Sequence, residues 1–209
     1  MGELTSVGKP IMRSDALDKV TGRAIYCADI KLPGMLTGVL LYSPYAHARI
    51  REIDISEAEA FPGVHAVVTG KDFPFRYGSV VKDRPILALD KVRFTGEVVA
   101  AVAEEDEETA LEACKRIKVD YEELEPILDP EKSMQDREHL LHEEFESYAK
   151  GASTAIPGTN ICSTYKLRKG DVEKGFAESD LVIEHTYRTP AVQHGYIEPH
   201  SSIAEYNRH

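Results

Sequence analysis

Cysteine is scarce in these 209 residues: Cys27, Cys114 and Cys162 are an odd number of widely separated thiols without a CxxC pair. That excludes a disulfide framework and a cysteine cage for zinc or an iron–sulfur cluster, and it suits a reducing, cytoplasmic compartment. Long apolar runs are also missing. The longest, around Val98–Ala103, is too short to cross a bilayer, so no membrane span is expected. Met1–Thr5 has no basic stretch leading into an apolar one, so no signal peptide is expected. Positive charge is in deficit: 25 Lys and Arg against 36 Asp and Glu leave a formal charge of −11. A nucleic-acid partner is therefore not expected, because such a surface must displace counterions from phosphate. GxGxxG, P-loop, HExxH and GxSxG patterns do not occur either.

What is present is ordinary globular composition, 42% hydrophobic and 29% charged, in a chain long enough for one large or two small domains. The charge is unevenly placed. Between Glu97 and Glu146 stand 18 acids and 5 bases, so this stretch carries the whole negative excess. No Asp-x-Asp-x-Asp-Gly loop organises the acids, and they read as a solvated face rather than a cation site.

Met1–Lys19 reads as a polar, extended lead-in, and Gly22–Ile30 as a strand closed by Pro33-Gly34. Met35–Tyr42 is an apolar run that suggests a strand buried on both faces. Ala48–Ile55 is extended. Ser56 and Glu59 have capping-box spacing for a short helix, which Pro62-Gly63 stops. Val64–Thr69 returns to strand, Phe73–Pro85 reads as loop, and Glu97–Ala103 as a further strand. The acids Asp106–Glu108 open a helix with Ala110, Leu111, Cys114 and Ile117 on one face, its basic residues Lys115, Arg116 and Lys118 following. Val119–Tyr121 and Pro126–Leu128 are short extended pieces. This part is mixed α/β, helices on a sheet. From Asp129 to Thr159 the composition turns to acid, Ser, Gly and Ala, a linker or wandering surface segment. Beyond it Ile161–Arg168 and Leu181–Tyr187 alternate with a period of two around a short helix, Val172–Ala177, capped by Asp171.

Few residues propose chemistry. His139 and His142 would share a helical face, but zinc needs a further ligand, and an exposed linker helix explains them as well. Ser43, His47 and Asp54 have the residue types of a triad without its spacing logic. The run Gln193-His194-Gly195-Tyr196-Ile197-Glu198-Pro199-His200 packs an amide, two imidazoles and a carboxylate around a Gly and a Pro. Its Gln or Glu could hold a bound oxo group or orient a substrate; equally, the run could be a turn between strands.

Several of these stretches together resemble the molybdenum-binding subunit of the xanthine dehydrogenase/aldehyde oxidase family, the molybdenum hydroxylases. They are Asp18–Tyr26 with Asp29-Ile30, Ser43–Ile50, Pro62–Val64, Thr95–Ala103, Val119–Pro126, Gly170–Val172 and Gln193–His200, in the family's order over nearly the whole chain. The resemblance implies an α/β (α+β) fold. After a lead-in of residues 1–17 comes an α/β hammerhead domain, 18–129, then a linker, 130–159, and the start of a molybdenum-cofactor-binding domain, 160–209. Gln193 matches the family glutamine near the molybdenum ligands, and Glu198 a carboxylate of the same loop with a structural role. In the complete enzyme a molybdenum–pterin cofactor carries oxygen transfer and hydride removal from an aldehyde, N-heterocycle or related aromatic substrate. Electrons leave through iron–sulfur clusters toward flavin (FAD) or another acceptor, on other subunits or domains. The base is a glutamate near the end of the family subunit, and this chain is several-fold shorter. No catalytic residue and no metal ligand is therefore expected here, nor any bound cofactor or turnover by the chain alone. Its partners would be the remainder of the molybdenum-binding subunit and the iron–sulfur and flavin subunits. The alternative is a non-catalytic binding or assembly module that keeps the hammerhead fold.

Overall fold

The structure, a computed structural model, describes residues 6–206; Met1–Thr5, where no leader was expected, lie outside the described residues. Residues Gly34–Glu178 form one unit, and those before and after it are grouped as a second. In the larger unit, strands β1 (Thr37–Tyr42), β2 (Ala48–Asp54), β3 (Ala66–Thr69), β6 (Lys91–Val92), β7 (Val98–Glu104) and β8 (Lys118–Glu123) build two antiparallel sheets. Their orders are β1-β7-β3 and β6-β2-β8. Between β3 and β6 a two-residue hairpin, β4 (Arg76–Tyr77) with β5 (Arg84–Pro85), occupies the segment expected to be loop.

The core follows from which faces are apolar. Helix α3 (Glu107–Cys114) buries Ala110, Ala113 and Cys114, with Ile117 beyond it, against Val67, Ala100 and Val102 of the first sheet. Leu111, expected on that stripe, is 44% exposed, because the buried face runs through Ala113 instead. The acids open α3 where the sequence suggests, with Glu107 and Glu108 in the first turn and Asp106 as its cap, Oδ1 accepting the Thr109 N–H at 2.8 Å. A second cluster, Ala48, Ala88, Val92 and Val99, lies under Tyr45, Ile50 and Tyr121. Ile53 and Val119 touch both clusters and join the sheets.

Several local readings are corrected. β1 is not buried on both faces: Val39 and Leu41 meet the core, while Leu40 and Tyr42 are 41% and 55% exposed. Helices cover only one side of that sheet. Helix α2 (Ser56–Glu59) has no capping box, since its cap is Ile55; Asp54 Oδ1 instead accepts the Ser56 N–H at 3.0 Å and its hydroxyl at 2.6 Å. Lead-in residues Ala16–Val20 form a short helix, α1, after Asp15, which pairs with Arg13 and Lys19. Gly22–Ile30 is not a strand. The Arg23 and Ala24 N–H groups both close onto Asp18 O, and Asp29 takes the Tyr26 N–H at 2.9 Å, which winds Cys27–Asp29 into a 3₁₀ turn.

Residues 129–159, read as a linker or wandering surface segment, carry local structure of their own. Asp129 caps α4 (Pro130–Gln135), accepting the N–H groups of Glu131 and Lys132. Further on, the Lys82 N–H donates to Ala149 O and the Gly151 N–H to Val80 O. Helix α5 (Val172–Ala177) forms with Asp171 as its cap, accepting the Lys174 N–H at 3.0 Å. The alternating runs on either side of it form no ladder among the described residues. Tyr165, Leu167, Leu181 and Ile183 are each at least 75% exposed. Among the described residues no helix is long and apolar enough to cross a membrane.

Candidate functional site

The Gln193–His200 run lies in the exposed part of the chain that follows α5. Gly195 sits at φ +61°, a conformation that suits a residue without a Cβ, and bends the run. The Tyr196 and His200 rings then stack with centroids 4.7 Å apart. Gln193 and Glu198 are exposed, and among the described residues no hydrogen bond engages the Gln193 carboxamide. It is a free donor and acceptor.

The other sequence candidates are used structurally. His139 and His142 share no helical face, because Asp136–Glu144 is irregular. His139 Nδ1 lies 3.0 Å from Asp136 Oδ2, and His142 Nδ1 lies 3.1 Å from the Tyr148 hydroxyl. No group of three potential metal ligands occurs among the described residues. Ser43 donates its hydroxyl to Tyr45 O and accepts the Tyr45 N–H, Asp54 serves Ser56, and His47 Nδ1 contacts Glu125 O at 2.7 Å. These bonds dissolve the triad. The carbonyl requires the proton on Nδ1, so His47 Nε2 carries a lone pair, sealed from solvent without a partner. Burial pushes the His47 pKa down, and the nearby Lys91 and Arg93 charges act in the same direction.

What sequence reasoning missed is an ionic seam joining β6 to residues 139–148. Lys91, only 2% exposed, donates from Nζ to Leu140 O and to Glu143 Oε1, both at 3.3 Å. Arg93 donates from Nε to Leu141 O at 2.9 Å and places Nη2 3.7 Å from Glu144 Oε2. Arg49 reaches Glu143 from β2. Burial works against the Glu143 charge, but Lys91 and Arg49 outweigh it and hold the carboxyl below its usual range. Tyr148 is buried, donates to Glu144 and lies under the Arg76 guanidinium. Asn160 closes the segment, its Oδ1 accepting the Leu141 N–H and its Nδ2 donating to His139 O, both at 2.9 Å. The seam holds a strap of chain in place. Every charge in it is matched by a bond or a counter-charge, so none of its carboxylates stands free as a base.

Comparison with known proteins gives the following. Residues 21–125 match the family described as "Aldehyde oxidase and xanthine dehydrogenase, a/b hammerhead domain", and residues 155–209 match "Molybdopterin cofactor-binding domain". A probable xanthine dehydrogenase component of Bacillus subtilis (strain 168) is 41% identical over 201 residues, 95% of this chain and 25% of that protein. The "Nicotinate dehydrogenase large molybdopterin subunit" of Eubacterium barkeri is 35% identical over 203 residues, 96% of this chain and 44% of that protein. Among solved structures, an aldehyde oxidoreductase from Desulfovibrio gigas superimposes with a TM-score of 0.62 at 29% identity, over 81% of this chain and 19% of that one. The chain thus spans between a quarter and less than half of the length of these two curated relatives.

Proposed function

Because this chain belongs to the aldehyde oxidase and xanthine dehydrogenase family, we propose that it works as the hammerhead and the opening of the molybdenum-cofactor domain of a hydroxylase large subunit. In this reading residues 18–129 are the hammerhead, and the cofactor domain begins near residue 160. The whole enzyme oxidises an aldehyde, an N-heterocycle or a related aromatic substrate with oxygen drawn from water. It acts in the cytoplasm and passes electrons to iron–sulfur and flavin partners. The catalytic base lies outside this chain, which has no turnover alone.

The observation that carries the reading is Gln193, an exposed carboxamide with no partner among the described residues, inside the stretch that matches the cofactor-binding family. Its chemistry fits a molybdenum–pterin group at one point: an uncharged N–H donor can hold a ligand atom of the metal without adding a titrating charge. The exposed run closes no cradle of its own, so the fit is that of a single contact. When bound, the molybdenum–pterin group supplies oxygen transfer and accepts the electrons. Gln193 donates its hydrogen bond, the Gly195 bend sets its direction, and the Tyr196–His200 stack stiffens the turn behind it. Glu198 serves this turn structurally.

The test is Gln193→Ala in the complete subunit with its partners. Turnover falls about ten- to a thousand-fold, the usual loss for one preorganised donor, while molybdenum content is unchanged. Intact turnover at normal metal content would make Gln193 a structural residue.

A further inference from the structure

A cleft of about 280 Å³ opens in the larger unit between the β4–β5 hairpin, the 86–88 stretch, the turn from Arg93 to Val98 and the strap. It is distinct from the Gln193 run and independent of the function proposed above. Its rim is apolar and half-exposed: Tyr77 is 50%, Ile86 44% and Phe94 54% exposed. Its polar lining includes Glu97, Asp83 and His142.

The state of each polar group decides what the cleft accepts. Glu97 is 8% exposed, and its Oε2 takes the Arg93 N–H at 2.6 Å. Its Oε1 has no partner among the described residues and is not sealed from solvent. His142 donates Nδ1–H to the Tyr148 oxygen, whose own proton goes to Glu144. The imidazole Nε2 is therefore a lone-pair acceptor, also unpartnered and unsealed. Arg93 lines the cleft, but its guanidinium is committed to Leu141 O, Lys91 O and Glu144, with Nη2 sealed. Arg84, exposed, is the remaining lining cation, and Glu97 and Asp83 are the lining carboxylates; Arg76 also acts on Glu97 and His142, but its guanidinium is held by Asp83 O, Asp90 and the Tyr148 ring. The cleft thus presents unused acceptors in its interior, with Arg84 at its exposed edge as the one uncommitted donor, beside aromatic side chains that favour a cation on their faces.

We propose that this cleft binds a small planar organic cation, an aryl amidinium. Its N–H groups would meet Glu97 Oε1 and His142 Nε2, and its ring would lie against Tyr77 and Phe94.

The experiment titrates the 209-residue chain with benzamidinium, neutral benzamide and anionic benzoate, followed by calorimetry and by amide chemical shifts. Benzamidinium should saturate one site with a Kd on the order of 1 mM, as suits so small a ligand, and shift the 77–98 amides. Benzamide and benzoate should bind at least tenfold more weakly. Glu97→Gln keeps an acceptor for the Arg93 N–H and should weaken benzamidinium at least tenfold. Phe94→Ala removes an exposed ring and should weaken it about threefold at unchanged thermal stability. Benzoate binding as well as benzamidinium, shifts elsewhere, or undiminished affinity in folded Glu97→Gln or Phe94→Ala would each overturn the proposal.

Discussion

Replacing Lys91 with Met isolates what the ionic seam contributes. The ammonium side chain is only 3% exposed and bonds one carbonyl and one carboxylate at 3.3 Å. A net hydrogen bond to a charged group contributes about 1.5–3 kcal/mol. Two facts reduce the loss. Met fills similar volume without the cost of desolvating an ammonium, and Glu143, 44% exposed, keeps Arg49 and turns its other oxygen to water. What remains is Leu140 O stripped of its donor and the strap's anchor lost, about 1–2 kcal/mol in all. The strap is a surface layer that can open without the core, so the loss appears first as local opening. Proteolysis of an opened segment follows its equilibrium population, so cleavage between residues 136 and 150 should speed up roughly 5- to 30-fold. Core fragments covering 34–129 should be cut no faster. Glu143→Gln retains a neutral acceptor for Lys91 and should accelerate cleavage less than Lys91→Met does. Unchanged cleavage in folded Lys91→Met, or wild-type cleavage there as fast as in an unstructured peptide, would refute the idea that the seam holds the strap.

Acid should weaken the folded chain in two stages. Burial lowers the pKa of His47 and His142 below the usual 6.5, so as pH falls the unfolded chain takes up protons first; their contribution is complete above about 6.5 and declines below it. Glu143, held below its usual 4.5, adds a contribution that is present above that value and lost as pH falls through the lower folded one. Denaturant midpoints should drop from about pH 7 to 5.5, and a His142→Gln variant should show a shallower slope; an unaltered slope contradicts the assignment. Glu97 runs in the opposite sense, because burial raises its pKa and its ionised form weakens the fold above that value. Glu97→Gln should therefore be at least as stable as wild type near neutral pH, and a clear loss would show that the charge itself is needed. Gly63→Ala should cost about 1–3 kcal/mol, since φ is +93° there and a Cβ would stand 2.2 Å from Glu104 Oε1. Glu104 is only 3% exposed and is tied to the Asp106 N–H, so it has little room to yield; an unchanged melting temperature would be the contrary result.

The elements that could be read from sequence are those whose determinants are local. Asp106 and Asp171 are followed by helices because a carboxylate three residues ahead of an N–H is a complete cap, whatever the rest of the chain does. β2 is legible from Ala48, Ile50 and Ile53, which share its inward side because the register shifts after Ile50. β1 shows where such reasoning stops: the run Val39-Leu40-Leu41-Tyr42 is apolar on both sides, and only the number of layers decides that Leu40 and Tyr42 stay open. The 161–167 alternation stops at the same point, because a period of two marks an apolar face without supplying the strand that pairs with it.

The seam was hidden for a different reason. Lys91 and Arg93 find their partners 48 to 52 residues away and Arg49 finds its own 94 away, and each alone looks like an ordinary surface charge. One local signal did exist: Lys91 and Arg93 flank Val92, which is fully buried, in a short strand beside an apolar core. A cation at a buried strand position must find an anion or a carbonyl, or the strand would not form there. The acidic excess between Glu97 and Glu146, read from composition as a solvated face, contains the two carboxylates that answer it, Glu143 and Glu144. Composition located the acids; the buried bases decide that Glu143 and Glu144, among them, are the ones that hold the strap.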